Sequence, residues 1–293
     1  MLKRSDVHIR DPFVVPVPAE KAYYVFGTTV EACWGGPGEP ARHGFDWYRT
    51  TDLESFEGPF PAFRPDAQFW GTHHFWAPEV HRLGGRWYMT ASFKANGACR
   101  GTQILAADRI TGPYRPHSYG PVTPRNWECL DGTLFVDEKE DPWLVFCHEW
   151  VQTKIGTIDA IRLARDLRRP AGEPATLFSA RDARWISDRM QRKELVTDGP
   201  FLYRGQGGML MLLWSSFLPT GYAIAAARSR TGKLMGPWIH DTPPVFDQDG
   251  GHGMIFRTFA GRLTLSIHSP NETPKERPLF IALREQDGQL VKV

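Results

Sequence analysis

Short apolar runs recur along this chain in pairs, and polar turn residues separate the two members of each pair. The first pair is "DPFVV" followed by "AYYVFGTT". The same order returns as "APEVHR" with "GRWYMTAS", "DGTLFVD" with "DPWLVFCHE", "DGPFLYR" with "GGMLMLLWSS", and "GHGMIFR" with "GRLTLSIHS". Turn sequences such as "LGGR", "RGQGG" and "FAGR" lie within the pairs, as in antiparallel hairpins. The pattern predicts five copies of one β-hairpin.

The first strands of these copies begin near Asp11, Ala77, Asp131, Asp198 and His252, at steps of 66, 54, 67 and 54 residues. Three copies continue into a further element that ends in Gly-Pro and an aromatic residue, as in "AADRITGPY". Units of about 55–65 residues with about four short strands each are typical of a five-bladed β-propeller. A β-sandwich or a β-helix with coincidental spacing is the alternative. No segment combines helical periodicity with caps, so we predict one all-β domain over residues 1–293.

Composition supports this fold and argues against some classes of binding partner. The 293 residues include 18 Phe, 11 Trp, 8 Tyr, 28 Gly and 24 Pro, and many aromatics with many turn residues favour short strands. The net charge of +2 argues against a nucleic-acid or membrane surface, and no apolar run reaches the ~18 residues of a membrane span. The N-terminal "MLKRSDVHIR" lacks the apolar core of a signal peptide, so we expect a cytoplasmic protein.

The cysteines give no sign of a metal or redox site. Cys33, Cys99, Cys129 and Cys147 include no pair with C-x-x-C spacing, which argues against a zinc knuckle or a thioredoxin-type motif. We therefore expect free structural thiols in a reducing compartment.

Acidic residues mark the starts of the repeated strands. In a propeller the innermost strands run along the central channel, so their starts are expected around one mouth. Asp11, Asp131 and Asp198 stand at this point in three copies, and His252 stands there in a fourth. Like charges brought together at such a mouth raise at least one pKa, which suits acid–base catalysis or a metal site with oxygen ligands. The alternative is that each aspartate is an ordinary turn residue.

The motifs resemble those of glycoside hydrolase family 43, the family of arabinanases, arabinofuranosidases and xylosidases. The resemblance covers nearly the whole chain and is carried by "RDPFVV" with "YYVFGTT", "FWAPEVHRLGGRWYMTAS" and "DGTLFVDEKEDPWLVF". It implies an inverting glycosidase with Asp11 as general base and Asp131 as the residue that orients the acid and tunes its pKa. The implied substrates are α-L-arabinofuranosides in arabinan-type or arabinose-containing oligosaccharides. A β-xylosidase or another glycosidase on the same fold, or a non-catalytic sugar-binding propeller, is the alternative.

The general acid is where this chain departs from the family pattern. The family has Glu-Gly-Pro in the fourth blade, whereas this chain has "VTDGPFLYR". The resemblance therefore implies that Asp198 is the general acid, with a carboxyl group one methylene shorter. Glu149 of "CHEWVQ" and Glu194 of "KELVTD" are the alternative acids, and a site that is not hydrolytic is the third option.

Sugars bind on aromatic faces, while polar groups fix their hydroxyls. We expect Trp76, beside the second-blade motif, to form a wall of the sugar pocket, with Phe13 and Trp34 as weaker candidates. Because "HEW" ends an apolar strand, a charged residue there lies either in solvent at the strand end or in the site, and His148 and Glu149 are further candidates for binding the substrate.

The fifth copy supplies the remaining candidates. Arg257 ends the strand that His252 begins, and we expect it to reach the substrate or an outer loop. In related arabinanases a histidine at a comparable place helps to hold an ion or a water cluster, which implies a calcium-type ion near His252. A hydrogen-bonded structural histidine is the alternative. The ion would be structural, because the carboxylates supply the chemistry, so no cofactor is required and the expected partner is an oligosaccharide or polysaccharide substrate.

Overall fold

Five antiparallel β-sheets follow one another along the chain. The computed structural model describes residues 1–29, 44–187 and 194–293. The first sheet has the order β2-β3-β4-β5-β1. Its strands are β1 (Leu2–Lys3), β2 (Ile9–Val17), β3 (Ala22–Thr29), β4 (Phe45–Thr50) and β5 (Ser55–Phe63).

The other four sheets each contain four strands in sequential order. The second consists of β6 (His73–Leu83), β7 (Arg86–Ala95), β8 (Ala98–Ala107) and β9 (Arg115–Pro116). The third consists of β10 (Cys129–Val136), β11 (Pro142–His148), β12 (Thr157–Arg162) and β13 (Ala175–Ser179). The fourth consists of β14 (Asp198–Arg204), β15 (Leu210–Leu218), β16 (Gly221–Ser229) and β17 (Trp238–His240). The fifth consists of β18 (Gly251–Arg257), β19 (Leu263–Ser269), β20 (Arg277–Gln286) and β21 (Gln289–Lys292).

Helix is scarce in the described ranges. They contain two α-helices of four residues, α1 (Trp150–Thr153) and α2 (Arg184–Ser187), and 3-10 helices at 4–6, 18–20, 180–182 and 206–208. Five sheets with so little helix confirm the predicted five-bladed propeller. None of these helices is long and apolar enough to span a membrane.

The three described cysteines are free thiols. Cys99 is partly exposed, whereas Cys129 and Cys147 are buried. The fourth cysteine, Cys33, lies outside the described residues.

Hydrophobic clusters fill the interfaces between neighbouring blades. Phe26 of the first blade packs in one cluster with Phe93 of the second, and Leu130 of the third blade shares another with Trp214 of the fourth. Because neighbours cover both faces of a blade, its second strand is apolar on both faces. The five residues 210–214 are all fully buried. This burial explains the continuous apolar runs that follow each first strand in the sequence.

The ring closes through side-chain contacts between the fifth and the first blade. The two blades share no strand among the described residues. Instead, the hydroxyl of Ser266 donates to the carbonyl of Pro12 at 2.8 Å, and the N–H of Phe259 donates to the hydroxyl of Tyr23 at 2.9 Å. We call this first-to-fifth blade interface the seam. Asp11, the neighbour of Pro12, lies on it.

A β-bulge interrupts every innermost strand, so that two of its residues face one residue of the second strand. The first bulge residue is in the left-handed region in all five blades. These residues are Asp11 (φ 53°), Ala77 (φ 49°), Asp131 (φ 56°), Gly199 (φ 52°) and His252 (φ 46°). Left-handed backbone is unfavourable for residues other than glycine and is concentrated at functional sites.

The bulges correct one expectation, because the fourth-blade equivalent of Asp11 and Asp131 is Gly199. Asp198 is one residue earlier, in register with Arg10 and not with Asp11. Space explains the shift, since a Cβ atom at position 199 would lie 2.8 Å from Cγ and Cδ2 of His252. The fourth blade therefore offers its carboxyl group from the residue before the bulge.

Candidate active site

A cavity of about 670 Å³ opens where the innermost strands begin. Asp11, Asp131, Asp198 and His252 all line it. The fivefold repeat therefore brings the four predicted polar residues of the strand starts into one site, although Asp198 reaches it from a different register.

Asp11 lies in the bulge of β2 and is only 8% exposed. The hydroxyl of Thr28 donates to its Oδ2 at 2.7 Å, and its Oδ1 lies 3.2 Å from Nδ1 of His252. Burial alone would raise the pKa of Asp11, but the positive charges of His252 and Arg10 hold that pKa well below its ordinary value. Asp11 is therefore ionised at neutral pH, as a general base must be.

His268 and Arg10 fix the backbone and the charge around Asp11. The N–H of Asp11 donates to Nδ1 of His268 at 3.2 Å, and Nε2 of His268 lies 3.1 Å from Oδ1 of Asn271. Burial lowers the pKa of His268, so the ring is neutral and Nε2 carries its proton. Arg10 donates to Asn271 Oδ1 at 2.9 Å and to Glu276 at 2.6 Å. Its guanidinium is thereby held beside the cavity.

His252 stands between two of the carboxylates. Its Nδ1 lies 3.2 Å from Oδ1 of Asp11 and 3.5 Å from Oδ2 of Asp131. Burial lowers the pKa of His252, but Asp11, Asp131 and Asp198 act against burial and leave it above its ordinary value. An imidazolium here neutralises part of the acidic cluster.

The calcium-type ion expected near His252 finds poor support in this geometry. Calcium takes six to eight oxygen ligands, whereas the site offers an imidazole nitrogen 3.2 Å from Oδ1 of Asp11 and 3.5 Å from Oδ2 of Asp131. Across the described ranges, no group of three or more His, Cys, Asp or Glu side chains has the arrangement of a metal site. These residues do not fit the ion, and no chemical step below involves one.

Asp131 and Asp198 form the proton-holding side of the site. Burial and the charge of Asp11 raise the pKa of Asp131, although His252 and the N–H of Gly199, 3.0 Å from its Oδ2, oppose the rise. Burial and the neighbouring Asp131 raise the pKa of Asp198 to about 7. The hydroxyl of Tyr222 donates to Asp198 at 2.9 Å and limits this rise. A carboxyl group here keeps a proton close to neutral pH.

Glu149 lines the same cavity as part of a stacked group. Both of its carboxylate oxygens accept hydrogen bonds from Arg100. The Arg100 guanidinium lies 4.1 Å from the ring centroid of Trp76 and 2.9 Å from Nδ1 of His74, which stacks on Trp76 at 4.5 Å. Burial raises the pKa of Glu149 to about 7 although Arg100 opposes the rise. The cavity therefore holds a second candidate acid, whose ionised form has a dedicated partner.

The other alternative acid lies elsewhere. Glu194 forms an ion pair with Lys154 at 2.8 Å, and both side chains are largely exposed. It is not among the residues that line the cavity.

Two predicted substrate-binding residues do not line the cavity. Phe13 is a buried core residue that does not line the cavity, and its ring lies beside His81 of the second blade and Phe201 of the fourth. Arg257 lies at the far end of β18, whose seven residues extend about 20 Å. There it contacts Tyr203 at 3.2 Å.

The remaining binding candidates are divided. Trp76 lines the cavity as expected. His148 is not among the residues that line the cavity, and its ring is stacked on Trp127 at 4.2 Å and lies 2.8 Å from Gln152. Trp34 lies outside the described residues.

The sequence reasoning missed several cavity residues. Arg10 had a signal, because it directly precedes Asp11 in "RDPF". Tyr222 and Arg100 had none, since they come from β16 and β8 and reach the site only through the blade-to-blade packing.

Comparison with known proteins agrees with this arrangement. Residues 6–285 match the family described as glycosyl hydrolases family 43. The chain belongs to this family. Membership confirms the resemblance drawn from the motifs and the predicted class of enzyme, a glycosidase.

Solved structures of family 43 proteins share the fold. The chain is similar to an endo-arabinase from Bacteroides thetaiotaomicron VPI-5482, with 36% identity and a TM-score of 0.88 over 99% of both chains. It is also similar to an endo-1,4-beta-xylanase from the same organism, with 22% identity and a TM-score of 0.78 over 99% of this chain and 96% of the other. At 22% identity the second likeness shows the fold alone.

A curated relative covers less of the chain. Alpha-L-arabinofuranosidase 43 from Humicola insolens is 26% identical over 190 residues, which are 60% of this chain. The match spans 37% of the length of that relative.

Proposed function

We propose that this family 43 chain is an inverting glycosidase that hydrolyses α-L-arabinofuranosidic linkages in arabinan-type or arabinose-containing oligosaccharides. The observation that carries the proposal is the contrast within one cavity. Asp11 has a pKa held low by cationic neighbours, whereas the pKa of Asp198 is raised to about 7. Two carboxyl groups with opposite pKa shifts are the requirement for general acid–base hydrolysis.

In the proposed reaction Asp11 removes a proton from a water molecule as the water attacks the anomeric carbon. Asp198 gives its proton to the glycosidic oxygen as the bond from the anomeric carbon to that oxygen breaks. The attack comes from the face opposite the leaving group, so the anomeric configuration inverts. Asp11 then releases the proton to solvent and Asp198 takes one up. The negative charge of Asp131 keeps the proton on Asp198 between turnovers.

We assign the acid to Asp198 rather than to Glu149 because of their partners. Arg100 donates to both carboxylate oxygens of Glu149, and a guanidinium stabilises the ionised form. Asp198 instead accepts from the neutral hydroxyl of Tyr222 and is next to Asp131. The surroundings of Asp198 favour the protonated form that a general acid needs.

The sugar specificity rests on the cavity wall and on one relative. Trp76 offers an aromatic surface at the cavity, and Arg10 holds donors beside Asp11, which suits apolar and hydroxyl groups of a sugar. The endo-arabinase that is 36% identical over 99% of this chain supports arabinan as the substrate class. We propose an oligosaccharide or polysaccharide as the partner of this site.

Product analysis tests this proposal. Purified protein is incubated with arabinan-derived and xylan-derived oligosaccharides, and the products are separated by anion-exchange chromatography. We expect arabinose or shorter arabino-oligosaccharides, and proton NMR of early time points shows the β-anomer formed first. Cleavage of xylo-oligosaccharides alone would overturn the specificity. Retention of configuration would overturn the mechanism, and binding without turnover would indicate a sugar-binding propeller.

A further inference from the structure

The N–H of the first bulge residue donates across the blade interface in every blade. In four blades the acceptor is a side chain on the second strand of the preceding blade. The pairs, donor first, are Asp11 with Nδ1 of His268 (3.2 Å), Ala77 with the hydroxyl of Thr28 (2.7 Å), Asp131 with the hydroxyl of Ser92 (2.8 Å) and His252 with the hydroxyl of Ser215 (2.8 Å).

These acceptors occupy one register position. Each pairs with the residue directly before the bulge of its own blade, as Thr28 does with Arg10 and Ser215 with Asp198. The residue at this position in the third blade is Cys147, which pairs with Leu130 and is fully buried. A thiol sulfur is a weak hydrogen-bond acceptor, in contrast to a hydroxyl or an imidazole nitrogen.

The fourth blade is accordingly the exception to the pattern. The N–H of Gly199 donates directly to Oδ2 of Asp131 at 3.0 Å. The first blade shows the ordinary arrangement for a carboxylate, because the hydroxyl of Thr28 accepts from Ala77 and donates to Asp11. In the first blade the Thr28 hydroxyl therefore bridges the N–H of the next blade and the carboxylate. In the third blade Cys147 occupies the same position and offers no hydroxyl.

We propose that Cys147 is a positioning residue for the reaction. Because its thiol does not capture the N–H of Gly199, the Asp131 carboxylate takes that N–H itself and is held against the strand that carries Asp198. Asp131 then acts on the proton of Asp198 from close range. The catalytic consequence rests on the proposed function, whereas the hydrogen-bond exchange can be tested without it.

The Cys147→Ser variant tests this inference. It inserts a hydroxyl at the place where Thr28 has one, so we expect it to take the Gly199 N–H and draw the Asp131 carboxylate away from the fourth blade. The value of kcat on arabino-oligosaccharides should fall by about tenfold or more with KM little changed, since small displacements of catalytic groups are costly. The alkaline limb of the kcat profile should move to lower pH, because a more distant Asp131 raises the pKa of Asp198 less.

Two matched variants separate positioning from packing. Cys147→Ala leaves no acceptor, so we expect a smaller loss of kcat than in Cys147→Ser and an unmoved alkaline limb, together with a lower melting temperature. Cys129→Ser makes the same exchange at another buried cysteine, which does not occupy the register position of the acceptors. It should leave kcat and the pH profile unchanged. A purely structural cysteine predicts no shift of the pH profile in either variant, because a buried hydroxyl without a partner lowers stability but does not change the charge beside Asp198.

A crystal structure of Cys147→Ser supplies a readout that does not depend on activity. We expect the nitrogen of Gly199 to lie within hydrogen-bond distance of the new hydroxyl and the direct contact with Asp131 to be lost. If the 3.0 Å contact with Asp131 persists, the inference is wrong even if the enzyme cleaves arabinan. If the wild-type protein cleaves no arabino-oligosaccharide but the contact is exchanged, the proposed function fails and the positioning inference stands.

Discussion

Asp11 and Asp198 face the same cavity, but their neighbours differ in charge. Asp11 is near the cations of His252 and Arg10, and its pKa lies well below the ordinary value. Asp198 is near Asp131 and accepts from the neutral Tyr222, and its pKa is raised to about 7. Asp11 is buried and Asp198 is half-buried, and burial raises the pKa of both, so burial alone does not separate them. The sign of the neighbouring charge decides which group holds a proton.

Replacement of the proposed base should have the largest effect. Asp11→Asn keeps the shape of the side chain but removes its capacity to accept a proton, so kcat should fall about 10³-fold or more on every substrate, near the upper range for acid–base groups. Steady-state kinetics with unchanged circular dichroism checks this. Full activity in the variant would contradict the assignment of Asp11.

Replacement of the proposed acid should lower activity nearly as much, but only on substrates whose leaving group needs protonation. Asp198→Asn should lower kcat on arabino-oligosaccharides by about 10²-fold or more. It should cost far less on p-nitrophenyl arabinofuranoside, whose leaving group needs no protonation. Glu149→Gln is the matched control and should lower kcat on both substrates to a similar degree. If Glu149→Gln instead shows the substrate-dependent loss, Glu149 is the acid.

Removal of the His252 imidazolium should bring the pKa of Asp11 closer to that of Asp198. In His252→Gln the cation beside Asp11 and Asp131 is lost, so the pKa of Asp11 rises and the acidic limb of kcat/KM moves to higher pH. We expect about a tenfold loss near pH 5 and a smaller loss near pH 7. An unchanged acidic limb would show that His252 does not set the ionisation of Asp11.

The smallest effect concerns the alkaline limb. A general acid must be protonated, so activity should decline as pH rises through the pKa of Asp198, about 7. The Tyr222 hydroxyl stabilises the ionised form of Asp198 and lowers this pKa. Tyr222→Phe should therefore move the alkaline limb to higher pH by a few tenths of a unit, equivalent to a fraction of a hydrogen bond. A shift to lower pH would contradict this role.

The sequence predicted the fold well because one hairpin pattern recurs five times. Each copy carries its turn residues and apolar runs in the same order, so the strand starts could be aligned without a structure. The same alignment brought Asp11, Asp131 and His252 together correctly at one mouth.

Side-chain direction inside the repeat could not be predicted. A bulge changes which face a residue occupies, and no sequence pattern announced the bulges. Phe13 was therefore assigned to the cavity although it lies in the core, and Asp198 was aligned with the bulge position that Gly199 occupies. Arg257 was predicted to reach either the substrate or an outer loop, and it contacts the loop at Gly261 because it lies at the far end of β18.

Closure of the ring at the seam is also required to complete the site. Asp11 belongs to the first blade and lies on the seam. Asp198 belongs to the fourth blade, so the shorter way between them around the ring passes through the fifth blade and crosses the seam. A sugar that contacts both carboxyl groups would bind only when the circle is complete. Such a ligand stabilises the closed ring by mass action, so a sugar that binds this site would also stabilise the fold.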